Sequence, residues 1–575
     1  KLDLILNREA NMPPTMMSYV HGGSTESLKY VTIGQALDEA VARWGDQEAL
    51  VSRHQNIRWN YAELNSAVDE LATGLLALGF VAGDRIGIWS PNNVEWVITQ
   101  FATAKIGLIL VNINPAYRIG ELEYALNKVE CKGIVIAEQF KTSNYVEMLN
   151  KLAPELATCS PGELQSTTLP NLSCAISISG DEHSGMYRFK DVCAAGSDEH
   201  ARRLAEIAPT LQPDDPINVQ FTSGTTGMPK GATLTHFNVL NNGYFVGRAM
   251  KLGENDRLCI PVPLYHCFGM VMGVLTCVTN GSTMVFPDEA FEPGSVLEAV
   301  AAEKCTALHG VPTMFIAELD HPKFDDYDLS SLRTGIMAGA PCPIEVMKRV
   351  FDEMNMSQVT IAYGMTETSP VSFQSGTDDS MDKRVSTVGR IHPHVEVKII
   401  DEDGRIVQRG GSGELCTRGY SVMQGYWNDP VKTAESIDAG GWMHTGDLAT
   451  MDDEGFCNIV GRVKDMIIRG GENVYPREIE EYLYRHPQVQ DVAVFGIPDK
   501  KFGEQVAAWV KLRDGEKASG EDIKNYCREQ IAHYKVPAYI RFVDEFPMTV
   551  TGKIQKFVMR DTMVEDLGLV IDETA

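Results

Sequence analysis

The chain has 575 residues, 44% of them hydrophobic and 22% charged, with a formal net charge of −27. That length exceeds what one hydrophobic core can serve, so two or more domains are expected, and the composition is that of a water-soluble globular protein. The acidic excess argues against nucleic acid or an anionic membrane as partner, because phosphate-rich surfaces repel it; an anionic substrate would have to meet positive charge concentrated locally.

Twelve cysteines are scattered without a C-x-x-C pair, which fits neither a zinc knuckle nor a disulfide framework and points to a reducing compartment. The opening KLDLILNREANMPP carries no apolar signal core. The closing DETA is neither an ER-retention nor a peroxisomal address, so the bacterial cytoplasm, or a mitochondrial matrix after removal of a presequence, is the expected location. The most apolar stretch, CFGMVMGVLTCV at 267–278, is too short to span a bilayer and reads as a buried helix.

In chain order, short β-branched runs occur at 84–90 (DRIGIWS), 107–115 (GLILVNINP), 133–138 (GIVIAE), 217–224 (INVQFTSG), 306–312 (TALHGVP) and 358–364 (QVTIAYG). Amphipathic patterns such as HFNVLNNGYFVGRAM and PIEVMKRVFDEM lie between several of them, the signature of α/β architecture with parallel sheets wound by crossover helices. Near residue 400 the strands shorten and Gly, Asp and Glu become dense, so a β-rich part is expected near 385–460. After GRVKDMIIRGG a small α+β pattern follows: helix REIEEYLYRH, strands DVAVFGIPD and AAWVKLRDG, helix EDIKNYCREQIAHY, strand YIRFVDEF. The spacing predicts a large N-terminal domain, 1–463, and a small C-terminal domain, 464–575.

The segment FTSGTTGMPKG, 221–231, follows strand INVQ and reads as a loop leading from strand to helix at a carboxyl edge, where open α/β sheets bind ligands. Its glycines let backbone N–H groups approach phosphate oxygens, the hydroxyls of Thr222, Ser223, Thr225 and Thr226 add donors, and Lys230 adds a cation; the spacing is not that of a Walker loop. In YGMTETS, Glu367 is a hard oxygen ligand suited to Mg2+, Thr366 a phosphate donor and Tyr363 a flat face for a base. In GWMHTGD, Asp447 follows a tight turn, as a carboxylate chelating ribose hydroxyls would, and Arg462 could bracket the same sugar. Lys553 lies in the glycine-bearing FPMTVTGKIQK. Taken singly, most of these residues also suit a strand end or a solvated surface.

Their order does not. TSGTTGMPKG, PLYHCFGM, AGAP, YGMTE, GYWN with GWMHTGD, GRVKDMIIRGGENVYPREIE and TGKIQK together resemble the adenylate-forming superfamily of acyl-CoA synthetases, carrier-loading adenylation domains and luciferases, over about residues 32–560. The resemblance implies that a carboxylate and ATP give an acyl-adenylate and pyrophosphate, after which a thiol takes the acyl group. By motif, residues 222–230, including Gly224 and Gly227, would hold the β- and γ-phosphates, Glu367 would position Mg2+, and Thr366 would meet the α-phosphate. Asp447 and Arg462 would grip the ribose, with Gly339, Ala340 and Pro341 against the adenine opposite Tyr363 and Gly364. His266 and Phe268 would face the acyl carboxylate, and Lys553 would bridge that carboxylate and the α-phosphate. Lys464 would be the hinge on which the C-terminal domain turns, and Gly470 and Gly471 would flank the pantetheine thiol in the second pose.

Tyr265 and His266 stand where amino-acid-activating relatives place a carboxylate, so an amino acid is disfavoured. Phe268, Met270, Met272 and Met337 suit an apolar acyl pocket or plain core packing. The chain ends too soon after Lys553 for a fused carrier domain of roughly 80 residues, so free coenzyme A is the expected acceptor. Stretches such as VNINPAYR and KDMIIRGGENVYP look most like the medium-chain fatty acyl-CoA synthetase branch; an aryl-acid CoA ligase, a luciferase-like enzyme and a non-catalytic nucleotide sensor are the rival readings.

Overall fold

The computed structural model describes residues 16–222, 229–340, 342–462, 464–469, 472–499, 501–528, 530–549 and 553–569. Two large sheets dominate. In the eight-stranded one, Tyr187–Arg188, Cys174–Ser177, Gly133–Ile136, Arg85–Trp89, Ile109–Asn112 and Pro216–Thr222 run parallel in that order, and Lys230–Thr235 and Gly425–Tyr426 close one edge antiparallel. In the nine-stranded one, a parallel centre from Gln358–Gly364 through Thr334–Ala338, Ala307–Gly310, Arg257–Cys259 and Thr283–Phe286 to Glu48–Ser52 has antiparallel strands at both edges.

Helices Ile33–Trp44, Tyr61–Ala77, Val94–Lys105 and His236–Ala249 lie between these sheets, and the largest core cluster takes side chains from both, Ile86 and Leu110 from one and Leu50 and Met284 from the other. The outer face of each sheet has its own core, centred on Ile134 and Leu149 for one and on Leu308 and Phe315 for the other. Burial on both faces is why the parallel strands read as unbroken apolar runs. The stretch 267–278 is buried and helical as its composition predicts, with a π-helical run, Met270–Leu275, inside it.

The β-rich part is a five-stranded antiparallel sheet in which Val395–Ile400, Gly413–Gly419, Met443–Met451 and Cys457–Arg462 follow the N-terminal strand Tyr19–His21. The last sheet begins at Ile467 and pairs Val489–Asp499 with Gly503–Leu512, flanked by helices Pro476–Leu483 and Lys556–Asp566. The helix expected over EDIKNYCREQIAHY is shorter than its pattern: it spans Gly520–Cys527, Arg528 is extended, and a single 3-10 turn follows at His533–Lys535. No helix among the described residues is long and apolar enough to cross a membrane.

Candidate active site

Three strand ends and one hairpin converge. The first is the hydroxyl-rich segment, whose reading as a strand-to-helix loop is corrected: Thr222 ends one strand and Lys230 begins its antiparallel partner, in register with each other, and the helix starts only at His236. KGATLT places small and β-branched residues where a strand packs well, and that outweighs the helical pattern just beyond it. Ser223, Gly224, Thr225, Thr226 and Gly227 lie outside the described residues.

Strand Lys230–Thr235 pairs with Gly425–Tyr426, and this puts a buried tyrosine between two charges. Lys230 Nζ donates to the Tyr426 hydroxyl at 2.9 Å, and that hydroxyl donates to Glu367 Oε1 at 2.8 Å. Burial, then the Glu367 carboxylate, raise the phenol's pKa, so it stays a donor. Glu367 is buried in the turn Thr366–Thr368, where its carbonyl accepts from Met423 N–H. The turn follows Gly364, where a Cβ would fall 1.8 Å from the Pro370 carbonyl oxygen, so only glycine lets the chain fold back there. Tyr426 was legible in the GYWN motif but received no role from the sequence; its partners stand 196 and 59 residues away.

The second corner is built on a bulge. Cys416 pairs with His444 and Glu414 with Leu448, so Thr445, Gly446 and Asp447 face one residue of the neighbouring strand. Thr445 Oγ1 donates to the Leu415 carbonyl, Gly446 takes φ +70°, and its N–H donates to Glu414 Oε1 at 3.2 Å. Bulges re-aim a side chain. Here Asp447 meets Tyr363 and Arg462: Tyr363 Oη donates to Asp447 Oδ2 at 2.5 Å, and Arg462 Nε lies 3.0 Å from Oδ1. Burial raises the Asp447 pKa, opposed by Arg462, Tyr363 and Lys553. Arg462 is raised, chiefly by Asp447. Gly339, at φ +87°, and Ala340 leave the strand adjoining Tyr363; Pro341 is outside the described residues.

Across the cleft, half-buried His266 caps a buried helix: its Nδ1 accepts from Phe268 N–H at 3.1 Å, which leaves the hydrogen on Nε2. Burial, then the Lys553 charge, push its pKa down to about 3, so the ring is neutral at physiological pH. Burial pushes the neighbouring Cys267 thiol up to about 12 although Lys553 and a hydrogen bond to Thr366 oppose it. Phe268 lies 5.4 Å from the buried His309 ring, centroid to centroid. Met337 is fully buried in the other core, across the sheet from Ile336 and Ala338, so it is not brought together with Phe268.

Lys553 comes from the far end of the chain, on a hairpin where Met548 pairs with Ile554 and Thr549 N–H donates to the Lys553 carbonyl. The residue is exposed to solvent, yet dense protein around its ammonium lowers its pKa; Arg462 adds repulsion, and Cys267, Asp447 and Glu367 oppose. One cleft thus gathers Lys230, Arg462 and Lys553 against Glu367 and Asp447, which suits a polyanion meeting a carboxylate. Lys464 sits in a turn whose next two N–H groups, of Asp465 and Met466, bond back to the Arg462 carbonyl. Gly470 and Gly471 are outside the described residues.

The family model described as "AMP-binding enzyme" matches residues 37–427, and "AMP-binding enzyme C-terminal domain" matches 478–553. A putative acyl-CoA synthetase, YngI of Bacillus subtilis, is 50% identical over 94% of this chain and 99% of its own. The mitochondrial medium-chain acyl-CoA ligase ACSF2 of Danio rerio is 47% identical over 97% of this chain and 93% of its own. Among solved structures, the anthranilate CoA ligase AuaEII in complex with anthranoyl-AMP superposes with a TM-score of 0.84 at 25% identity, covering 94% of this chain and 98% of that one. ATP-bound MatB from Rhodopseudomonas palustris gives 0.79 at 28% identity, covering 93% and 99%.

Proposed function

The chain belongs to the AMP-binding enzyme family, and from that premise we propose that it is an AMP-forming acid–thiol ligase that joins a medium-chain fatty acid to coenzyme A through an acyl-adenylate. The observation that carries the reading is convergence: a lysine from the C-terminal hairpin enters a cleft whose other charges come from three different sheets.

Two anions must meet in line, and where the effective dielectric is low their repulsion is large. Lys230 and residues 222–229 before it hold the β- and γ-phosphates, with Tyr426 tying Lys230 to Glu367. Buried Glu367, with one oxygen accepting from Tyr426, presents a carboxylate fit for a hard divalent ion beside Thr366. Mg2+ held there would offset charge on the phosphates. Asp447 and Arg462 take the ribose, and Tyr363, braced by its bond to Asp447, takes the adenine opposite Gly339 and Ala340. Neutral His266 offers its Nε2–H to the acyl carboxylate, Phe268 begins the acyl pocket, and Lys553 stabilises the charge where carboxylate and α-phosphate join.

The thioester step requires Lys553 to leave. We place the boundary between two domains, 1–463 and 464–575, at Lys464, in the turn between strands Cys457–Arg462 and Ile467–Arg469. Polar contacts join the two sides in the present pose, Arg477 Nη1 to the Ile459 carbonyl at 2.8 Å and Gln490 Nε2 to Asp320 at 3.2 Å, the kind of bonds water can replace when a lid swings. Rotation would bring Gly470 and Gly471 to the coenzyme A thiol. We infer the bacterial cytoplasm or a mitochondrial matrix as its compartment; one relative's name says mitochondrial.

The test is release of AMP and pyrophosphate over a panel of fatty, aryl and amino acids, with and without coenzyme A. Turnover with saturated acids of medium length, dependent on coenzyme A, is the expected result. Preference for aryl acids would overturn the substrate, and no mixed anhydride with any acid would overturn the reaction.

A further inference from the structure

Behind the ribose corner, on one face of the antiparallel sheet, three side chains of unlike chemistry meet. Glu414 and Cys416 alternate on one strand, and His444 stands directly opposite Cys416. His444 Nδ1 lies 3.0 Å from Glu414 Oε2 and 3.6 Å from Cys416 Sγ, and the three donor atoms all lie within 4.8 Å of one another. Zinc bonds of about 2.0–2.3 Å to N, O and S in tetrahedral array put donors about 3.3–3.8 Å apart, so these side chains need only small adjustments to share an ion.

A second observation points the same way. The other ring nitrogen, Nε2, faces Asp438 Oδ2 at 3.9 Å, while Asp438 Oδ1 is fixed by the N–H groups of Gly440 and Trp442. A histidine that binds metal through one nitrogen commonly gives its other N–H to a carboxylate, which fixes ring and tautomer. Nearby cations do not block the site: Lys398 and Arg418 stack on the Trp442 ring, at 4.5 and 4.4 Å from its centroid.

We propose that Glu414, Cys416 and His444 form a binding site for a zinc-class divalent ion, with Asp438 as outer partner and water or a further ligand in the fourth position. Mixed carboxylate, imidazole and thiolate donors suit zinc rather than magnesium or calcium. Binding releases the Cys416 thiol proton to solvent, and the single ring hydrogen of a neutral His444 sits on Nε2, toward Asp438, so that Nδ1 is free for the ion. Glu414 Oε1 meanwhile keeps its bond to Gly446 N–H, so the ion would fix the carboxylate that holds the bulge carrying Asp447. Coupling to nucleotide affinity rests on the function proposed above; binding of the ion does not.

The experiment titrates metal-free, full-length protein with Co2+ alone and follows the thiolate-to-cobalt charge-transfer band. The expected result is saturation at one equivalent, displacement by Zn2+, loss of the band in Cys416→Ser, retention in Cys267→Ser, and at least about tenfold weaker zinc binding in Asp438→Asn. Circular dichroism checks that each variant is folded; should Cys416→Ser not fold, His444→Gln, at the more exposed side chain, must weaken the band instead. No band in the parent protein, or a band that survives loss of both Cys416 and His444, overturns the site. A zinc site without change in ATP affinity would remove only the coupling to Asp447.

Discussion

Asp447 and Lys553 face one cleft but are held there in opposite ways. Asp447 is 7% exposed, and its side-chain partners, Tyr363 and Arg462, are themselves on strands, Arg462 in direct register across the ladder. Lys553 is exposed and sits beside an isolated bridge between Met548 and Ile554. The comparison separates two tasks. A nucleotide that stays bound through both half-reactions needs a corner built into a sheet, whereas a cation needed for only one half-reaction is better carried on a part that can withdraw.

The largest expected effect follows from the mobile partner. Lys553→Ala should slow acyl-adenylate formation about a hundred- to a thousandfold, the usual loss when one donor aimed at developing charge is removed; single-turnover assay with radiolabelled ATP reads it. Next, Asp447→Asn removes a charged acceptor from a fixed corner. It should raise KM for ATP about ten- to a hundredfold, equivalent to about 1.5–3 kcal/mol for hydrogen bonds to a charged group, with a smaller change in kcat; steady-state kinetics would show the split. Tyr426→Phe breaks the link from Lys230 to Glu367 and should cost about 1 kcal/mol, roughly fivefold in ATP–pyrophosphate exchange.

The smallest effect is a displacement of a pH profile. In the role proposed for it Lys553 acts protonated, and the dense protein around its ammonium, with repulsion from Arg462, lowers its pKa. Adenylation should therefore persist below that lowered value and fall as pH rises through it, at lower pH than for an ordinary lysine. In Lys553→Arg the alkaline fall assigned to this residue should disappear, while His266, with a pKa of about 3, should leave no inflection near pH 6 to 7 in either protein.

Much of the fold was legible because parallel strands buried on both faces announce themselves: Arg85–Trp89, Gly133–Ile136 and Gln358–Gly364 fall within the runs that predicted them. The site was legible where one short motif carries both the side chain and the turn that aims it, as in YGMTE and HTGD. What escaped depends on pairing between distant segments. The hairpin partner Lys230–Thr235 looked like a prelude to the helix, because local pattern does not reveal which neighbour a strand will find. Tyr426 gains its partners only when two sheet edges meet, and the grouping of Glu414, Cys416 and His444 appears only once the bulge sets the register. Met337 carried a pocket reading from its composition alone, and strand alternation turns it to the other core.

The central claim is that Lys553 serves one half-reaction and is absent from the other. The direct measurement supplies Lys553→Ala with synthetic acyl-adenylate and coenzyme A and follows thioester release. The account predicts a rate within a few-fold of the parent protein, beside adenylation slowed by at least about a hundredfold; equal losses in the two half-reactions would contradict it.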